Sequence, residues 1–394
     1  MSALRGIRVL DFGRFVAGPY CATILADFGA DVIRIEPPGG GEDRFLAPVM
    51  DSGEGAIFMQ VARNKRSLTL DMRSDSGRDI VNRLVATADI VVTNMARSVL
   101  PRLGLDHETL SSIKPDIITV NTSAFGDRGE WANLPGFDSV GQAMSGGIYM
   151  SGEPGNPTRA TVNWVDYGSS LHAALGALLA LRERDLSGRG QEVSTSLLGT
   201  AVSFQNPILI DQMMLQLDRK PTGNRGFASG PTDVFKVSDG WIICHVVSNP
   251  IFKRWARLMG EEEIWLEDPR FATDQLRGQN SEALSERMAK WCASRSRDQA
   301  LAELAEAKVP GAPVLAPKEV IAHPQIRELG LLTPIEYDGK PTPVSVSATP
   351  IEMSVSPAKI QKGPPTVGEH SDEILLELGL SESEIEALRS FGVV

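Results

Sequence analysis

The first 36 residues constrain the fold more than anything that follows. Arg8 to Phe12 reads as a short apolar strand, Gly13 to Gly18 as a loop, and Pro19 as a favoured first helical residue before CATILADF. Gly29 supplies a helix stop, and Val32 to Ile35 reads as a second buried strand. Such a β-α-β unit builds parallel sheet, because parallel neighbours need a long crossover that a helix supplies. The alternation continues with a helix over Ser76 to Ala86, a strand at Asp89 to Thr93, a helix near Glu108 to Ile113 and a strand at Asp116 to Thr122. The fold class is therefore α/β, doubly wound.

From Tyr167 the apolar positions Leu171, Ala174, Leu175, Leu178 and Leu181 repeat at helical spacing, which predicts a helix packed on the sheet by that stripe. SGRG ends it before a strand at Glu192 to Leu197. After about residue 205 the texture changes. TGNRGFASG is a glycine-punctuated loop, Asp233 to Val247 reads as a hairpin turning at Ser238 to Gly240, and helices are expected at Ile251 to Leu258, Glu282 to Ala293 and Arg297 to Ala307. The pattern is lost near Pro313 to Pro324, and the chain closes with helices at Ser371 to Leu378 and Ser383 to Phe391. A chain of 394 residues exceeds the size at which one core keeps growing. We expect a large domain over 1–204, a linker at 205–225, a small domain at 226–325, and a return segment at 326–394 that completes the large one.

A net charge of -11 disfavours nucleic acid as a partner. No apolar run approaches a membrane span and no secretory leader is readable, so a cytoplasmic protein is expected. Three cysteines and five histidines are scattered without paired spacing, so neither a disulfide framework nor a metal site is expected. Glu36, ending the second strand, gives the outline of a dinucleotide site. The loop is GRFVAG, however, without the middle glycine of GxGxxG, and a nicotinamide cofactor is not expected. Gly39 to Gly41 lacks the lysine and hydroxyl of a P-loop and reads as a turn. Asp166, in TVNWVDYGSSLHAALGALLAL, precedes a long helix, where an aspartate is ordinarily a cap.

Six collinear blocks resemble family III CoA-transferases, which include formyl-CoA and carnitine CoA-transferases. They are RVLDFGRFVAGPYCATILADFGADVIRIE, NKRSLTLDM, VVTNMARSVLPRLGL, GFDSVGQAMSG, VDYGSSLHAALGALLALRERDLSGRGQEV and VGEHSDEILLELGL. The resemblance implies a CoA-transferase with Asp166 as nucleophile, moving coenzyme A between an acyl-CoA donor and a carboxylic acid acceptor through an anhydride and an aspartyl-CoA thioester. An ionised carboxylate needs no general base at neutral pH, and a helix N-terminus beside Asp166 would help keep it anionic. Val16 and Ala17 would lie at the thioester end of CoA, Leu70, Asn94 and Met95 at the adenine end, and Arg73 and Arg102 at the phosphates. Asp138 would hydrogen-bond around the nucleophile. Phe137, Trp164 and Arg225 are candidates for the acid pocket, and the loop with Gly223 and Gly226 for a flexible glycine-rich lid. The implied architecture is a Rossmann-like large domain built from both chain ends, with an inserted smaller α+β domain, in an interlocked homodimer.

The chain departs from the family's pattern at Pro37, Pro38 and Pro135, where some members carry basic residues, and Arg34 and Arg44 are possible substitutes. The superfamily's 2-methylacyl-CoA racemases use a histidine in a GHD block. That block is here Gly136, Phe137 and Asp138, and phenylalanine cannot shuttle a proton, so His172 or His245 would have to replace it. A non-catalytic CoA-binding protein is the remaining alternative, against which the retained Asp166 speaks.

Overall fold

The computed structural model describes residues 2–394. Two compact units divide the chain: one holds Met1–Gly147, Ala160–Met214 and Arg327–Val394, the other Ile148–Arg159 and Leu215–Ile326. At the centre of the first is a six-stranded sheet of β1 (Arg8–Asp11), β2 (Asp31–Glu36), β3 (Lys65–Thr69), β4 (Ile90–Thr93), β5 (Ile118–Ser123) and β6 (Glu192–Ser196). The order is β3-β2-β1-β4-β5-β6 and every pairing is parallel. The order reverses between β1 and β4, and open sheets of this kind bind ligands beyond the carboxyl ends of the strands at such a reversal.

The flanking helices used below are α1 (Ala17–Asp27), α2 (Asp75–Thr87), α3 (Asp138–Met144), α4 (Trp164–Ser187) and α5 (Leu197–Leu215). Successive strand residues point to opposite faces. Val9 of β1 therefore packs among residues of α1 and α4, and Leu10 among residues of α2 and of the two C-terminal helices at 371–377 and 382–390. α1 begins at Ala17, so Pro19 is its third residue rather than its first; the missing N–H falls in the first turn, where no intrahelical partner exists.

The stripe expected to face the sheet is only half right. Ala173, Ala174, Ala177, Ala180 and Leu181 of α4 are buried, whereas Leu171, Leu175 and Leu178 are 51%, 55% and 41% exposed. Small side chains let α4 lie close against α1, and that close approach turns the larger leucines outward.

β3 escapes the hydrophobic pattern because its polar residues are buried in pairs. Lys65 Nζ lies 2.7 Å from Asp11, Arg66 is bonded to Asp31, Glu373 and Glu377, and Ser67 donates to Glu36 at 2.7 Å. Residues 205–215, expected in a linker, form the second half of α5, and residues 148–159 fall in the second unit. That unit has an antiparallel sheet of β7 (Thr232–Val237), β8 (Gly240–His245) and β9 (Gly311–Pro313), with Trp255, Met288 and Trp291 in its core. Among the described residues no helix is long and apolar enough to cross a membrane.

Candidate active site

The loops that leave β1, β4 and β5 at their carboxyl ends wall a cleft of about 550 Å³ within the first unit. Arg14, Phe15, Val16 and Ala17 come from the first loop and the start of α1, Asn94, Met95 and Val99 from the second, and Thr122 to Ala124 from the third. Phe137 lines it from the loop before α3, and Asp166 from the first turn of α4.

The β1 loop is held by its neighbours. Asp11 Oδ1 accepts from the Gly13 N–H at 2.9 Å, while Asp11 Oδ2 meets Lys65 Nζ, which also donates to Pro19 O at 2.7 Å. Both charges are fully buried, so each needs the other. Asn94 grips the backbone of Arg14 at two points: Oδ1 accepts its N–H at 2.8 Å and Nδ2 donates to its carbonyl at 2.7 Å. Asp43 accepts from the Phe15 N–H at 3.1 Å, and Phe15 sits at φ 62°, a left-handed conformation that a bulky residue keeps only when its surroundings impose it. The ring of Phe15 meets that of Phe137 edge to face at 5.5 Å.

Asp166 is 8% exposed, and no cation pairs with it among the described residues. Contrary to the expectation that a helix N-terminus keeps Asp166 anionic, the N–H groups at the start of α4 do not serve its carboxylate. Asp138 of α3 takes them: its Oδ2 accepts from Val165 at 2.8 Å and from Asp166 at 3.2 Å. Burial, and then the Asp138 charge, push Asp166 up to about 7. One turn along α4, Ser170 Oγ donates to Asp166 O and to Ala17 O at 2.8 Å, which ties the start of α1 to the nucleophile's helix.

A second cavity of about 580 Å³ adjoins the other side of the β1 loop and is lined by Arg14, Arg34, Leu70, Arg73 and Met95 among others. Arg44, suggested as a phosphate contact, is not available for one: it is fully buried, with its nitrogens on Glu36 and on Pro365 O. Arg34 is buried against Asp43 at 2.8 Å, but its Nε and Nη1 make no hydrogen bond. Against burial, which raises it, Arg34 and Arg44 hold Glu36 down to about 2.

The family profile of CoA-transferase family III matches residues 4–371. The chain belongs to CoA-transferase family III. It is therefore an enzyme of EC 2.8.3 type. It is 32% identical to succinyl-CoA–D-citramalate CoA-transferase of Chloroflexus aurantiacus, across 99% of this chain and 98% of the relative. Succinate–glutarate CoA-transferase of Agrobacterium fabrum is 34% identical, over 95% of each chain. Among solved structures, a CAIB/BAIF family protein from Brucella suis superposes with a TM-score of 0.83 at 32% identity, over 96% of this chain and 99% of that one.

Of the residues that the family III resemblance singled out, Val16, Ala17, Asn94, Met95, Phe137 and Asp166 share the first cleft, and Leu70, Arg73 and Met95 the second cavity. Asn94 holds the backbone of Arg14 from both ends of its amide, so it shapes the loop. Arg73 is 88% exposed and paired with Asp71; Arg102 is exposed and lines neither cavity. Trp164 stacks on Phe204 at 6.0 Å rather than lining the cleft, and Asp138 lies behind it as a helix cap. Gly223, Arg225 and Gly226 belong to the second unit, where the Gly223 N–H donates to Gly152 O at 2.8 Å and the Gly226 N–H to Thr232 O at 2.7 Å. Sequence reasoning missed Phe15, Asp43 and Gln142. Only Gln142 carried a signal, its spacing of four residues from Asp138 on one helix face.

Proposed function

We propose that the chain transfers coenzyme A from succinyl-CoA to a second carboxylic acid through covalent intermediates on Asp166. The observation that carries this reading is a buried carboxyl, unpaired with any cation, that opens into a cleft at the reversal point of the sheet. Several relatives about 30% identical are named for succinyl-CoA as donor, among them those acting with D-citramalate, L-malate and glutarate, and they support the donor.

An ionised Asp166 oxygen attacks the thioester carbonyl, and the C–S bond breaks to give a mixed anhydride and CoA thiolate. The thiolate then attacks the Asp166 carbonyl carbon, releasing succinate and leaving an aspartyl-CoA thioester. An acceptor carboxylate opens that thioester by the same two steps reversed. Charge gathers on the carbonyl oxygen at each step, and the start of α1, which has no side-chain cap, supplies N–H donors beside the nucleophile. Val16 and Ala17 flank the thioester end, and the second cavity takes the nucleotide end, with Leu70, Met95, Arg73 and Arg34.

Two copies form the working unit. Leu171, Leu175, Leu179 and Leu186 of α4, with Phe204 and Met213 of α5, leave an apolar surface that water alone does not favour. A cytoplasmic setting fits three free, buried cysteines.

The test is intact-protein mass spectrometry after incubation with succinyl-CoA and other acyl-CoAs, followed by hydroxylamine. A CoA adduct that hydroxylamine removes and Asp166→Ala abolishes is the expected result. No adduct with any donor, together with deuterium uptake at the α carbon of a 2-methylacyl-CoA, would instead make the protein a racemase.

A further inference from the structure

α4 has no cap of its own. The residue before it, Asn163, makes no side-chain capping bond, so the N–H groups of its first turn would be orphaned. Asp138 supplies the missing acceptor from another helix, and it is itself only 3% exposed. A buried carboxylate must be fully hydrogen-bonded to stay in place. Its Oδ2 is satisfied by α4, whereas its Oδ1 accepts a hydrogen bond from Gln142 Nε2.

Gln142, 2% exposed, does more than hold Asp138. Its Oε1 accepts from the Ala160 N–H at 3.0 Å, and its Nε2 also reaches Val162 O at 3.4 Å. Ala160 is where the chain returns to the first unit after its excursion through Ile148–Arg159. One amide thus fastens the returning chain, the acid that caps α4, and through that acid the turn that carries Asp166.

We propose that Gln142 is a positioning residue of the transfer reaction: its amide fixes the Asp138 carboxylate on the first turn of α4 and pins the chain entering that turn, so that Asp166 presents its carboxyl to the cleft. The proposal rests on Asp166 being the nucleophile. The charged and titratable groups around that carboxyl are Asp138 from α3, Arg14 from the β1 loop on the same cleft, and Tyr167 beside it on α4, whose ring meets Tyr20 of α1. None of the others is placed, as Asp138 is, by a single side chain that also holds the backbone of Asp166's own segment.

The experiment measures the rate of CoA-adduct formation with succinyl-CoA between pH 5.5 and 9 for the full chain, with Gln142→Ala and Gln142→Glu beside the unaltered protein. Gln142→Ala is expected to slow adduct formation on the order of 10- to 100-fold, with KM for succinyl-CoA changed by less than about threefold. Gln142→Glu keeps the size and the acceptor for Ala160 but sets a second carboxyl against Asp138. It is expected to move the acidic limb of the profile up by roughly half to one pH unit. If Gln142→Ala does not fold, as circular dichroism and thermal unfolding report, the isosteric Gln142→Glu decides. Variants that lose thermal stability but keep the original rate and limb would overturn the proposal. An adduct absent from the unaltered protein sinks the transferase reading, and this one with it; an adduct present with unmoved variants sinks this one alone.

Discussion

A carboxyl pushed up to about 7 is close to half ionised near neutral pH, and only its ionised form attacks a thioester. Adduct formation should therefore rise with pH through an acidic limb near 7, measured as single-turnover rate against pH. The same displacement sets a stability trend. The folded state holds the Asp166 proton more tightly than the unfolded chain, whose aspartate has the ordinary value of 3.8. This group's contribution to stability is thus largest at low pH, declines between about pH 4 and 7, and is level above. Asp166→Asn should abolish the adduct yet raise the melting temperature at pH 8, with little gain at pH 4, when unfolding is followed at both. Lys65 and Asp11 are a different case, since their charges are buried together as a pair. Lys65→Met leaves Asp11 unpaired and should cost about 3–5 kcal/mol in denaturant unfolding.

α3 and α4 meet where no side chain fits. A Cβ on Gly141 would stand 2.8 Å from Val165 Cγ1 and 3.3 Å from Leu197 O, so Gly141→Ala must push α3 off the start of α4. A loss of about 1–3 kcal/mol is expected in denaturant unfolding, together with slower adduct formation, because the same contact carries Asp138 to its place. The sequence made α3, α4 and their order readable only in part. Asp166 was legible as a residue at the start of a long helix, although that helix begins at Trp164 and so holds Asp166 in its first turn rather than before it; its candidacy as nucleophile came with the family resemblance. That its helix N–H groups are spent on Asp138 was not legible, because the two residues are 28 apart in the chain. β3 was illegible for a related reason: Lys65, Arg66 and Ser67 look like surface until partners from β1, β2 and the C-terminal helix are set against them.

At the scale of the molecule, the outward leucines of α4 are the feature that a lone chain leaves unresolved. Leu175→Lys with Leu179→Lys places charge on that face without touching the buried alanines. Sedimentation velocity should then show a dimer for the unaltered protein and a monomer, or aggregate, for the double variant. A double variant that remains dimeric would remove this face from the interface.

The alternation of short apolar strands with helices, read from residues 8 to 122, determined by itself that the sheet is parallel and doubly wound, because period and crossover length are local properties of a chain. It equally left no GxGxxG loop for a dinucleotide. Only the tertiary structure decided which face of α4 is inside, that Arg44 is consumed by Glu36, that Asn94 holds a loop, and that Asp166 is kept protonated to near neutrality. Each of these depends on which groups, distant in sequence, share a region from which water is excluded, and desolvation and charge act through space rather than along the chain.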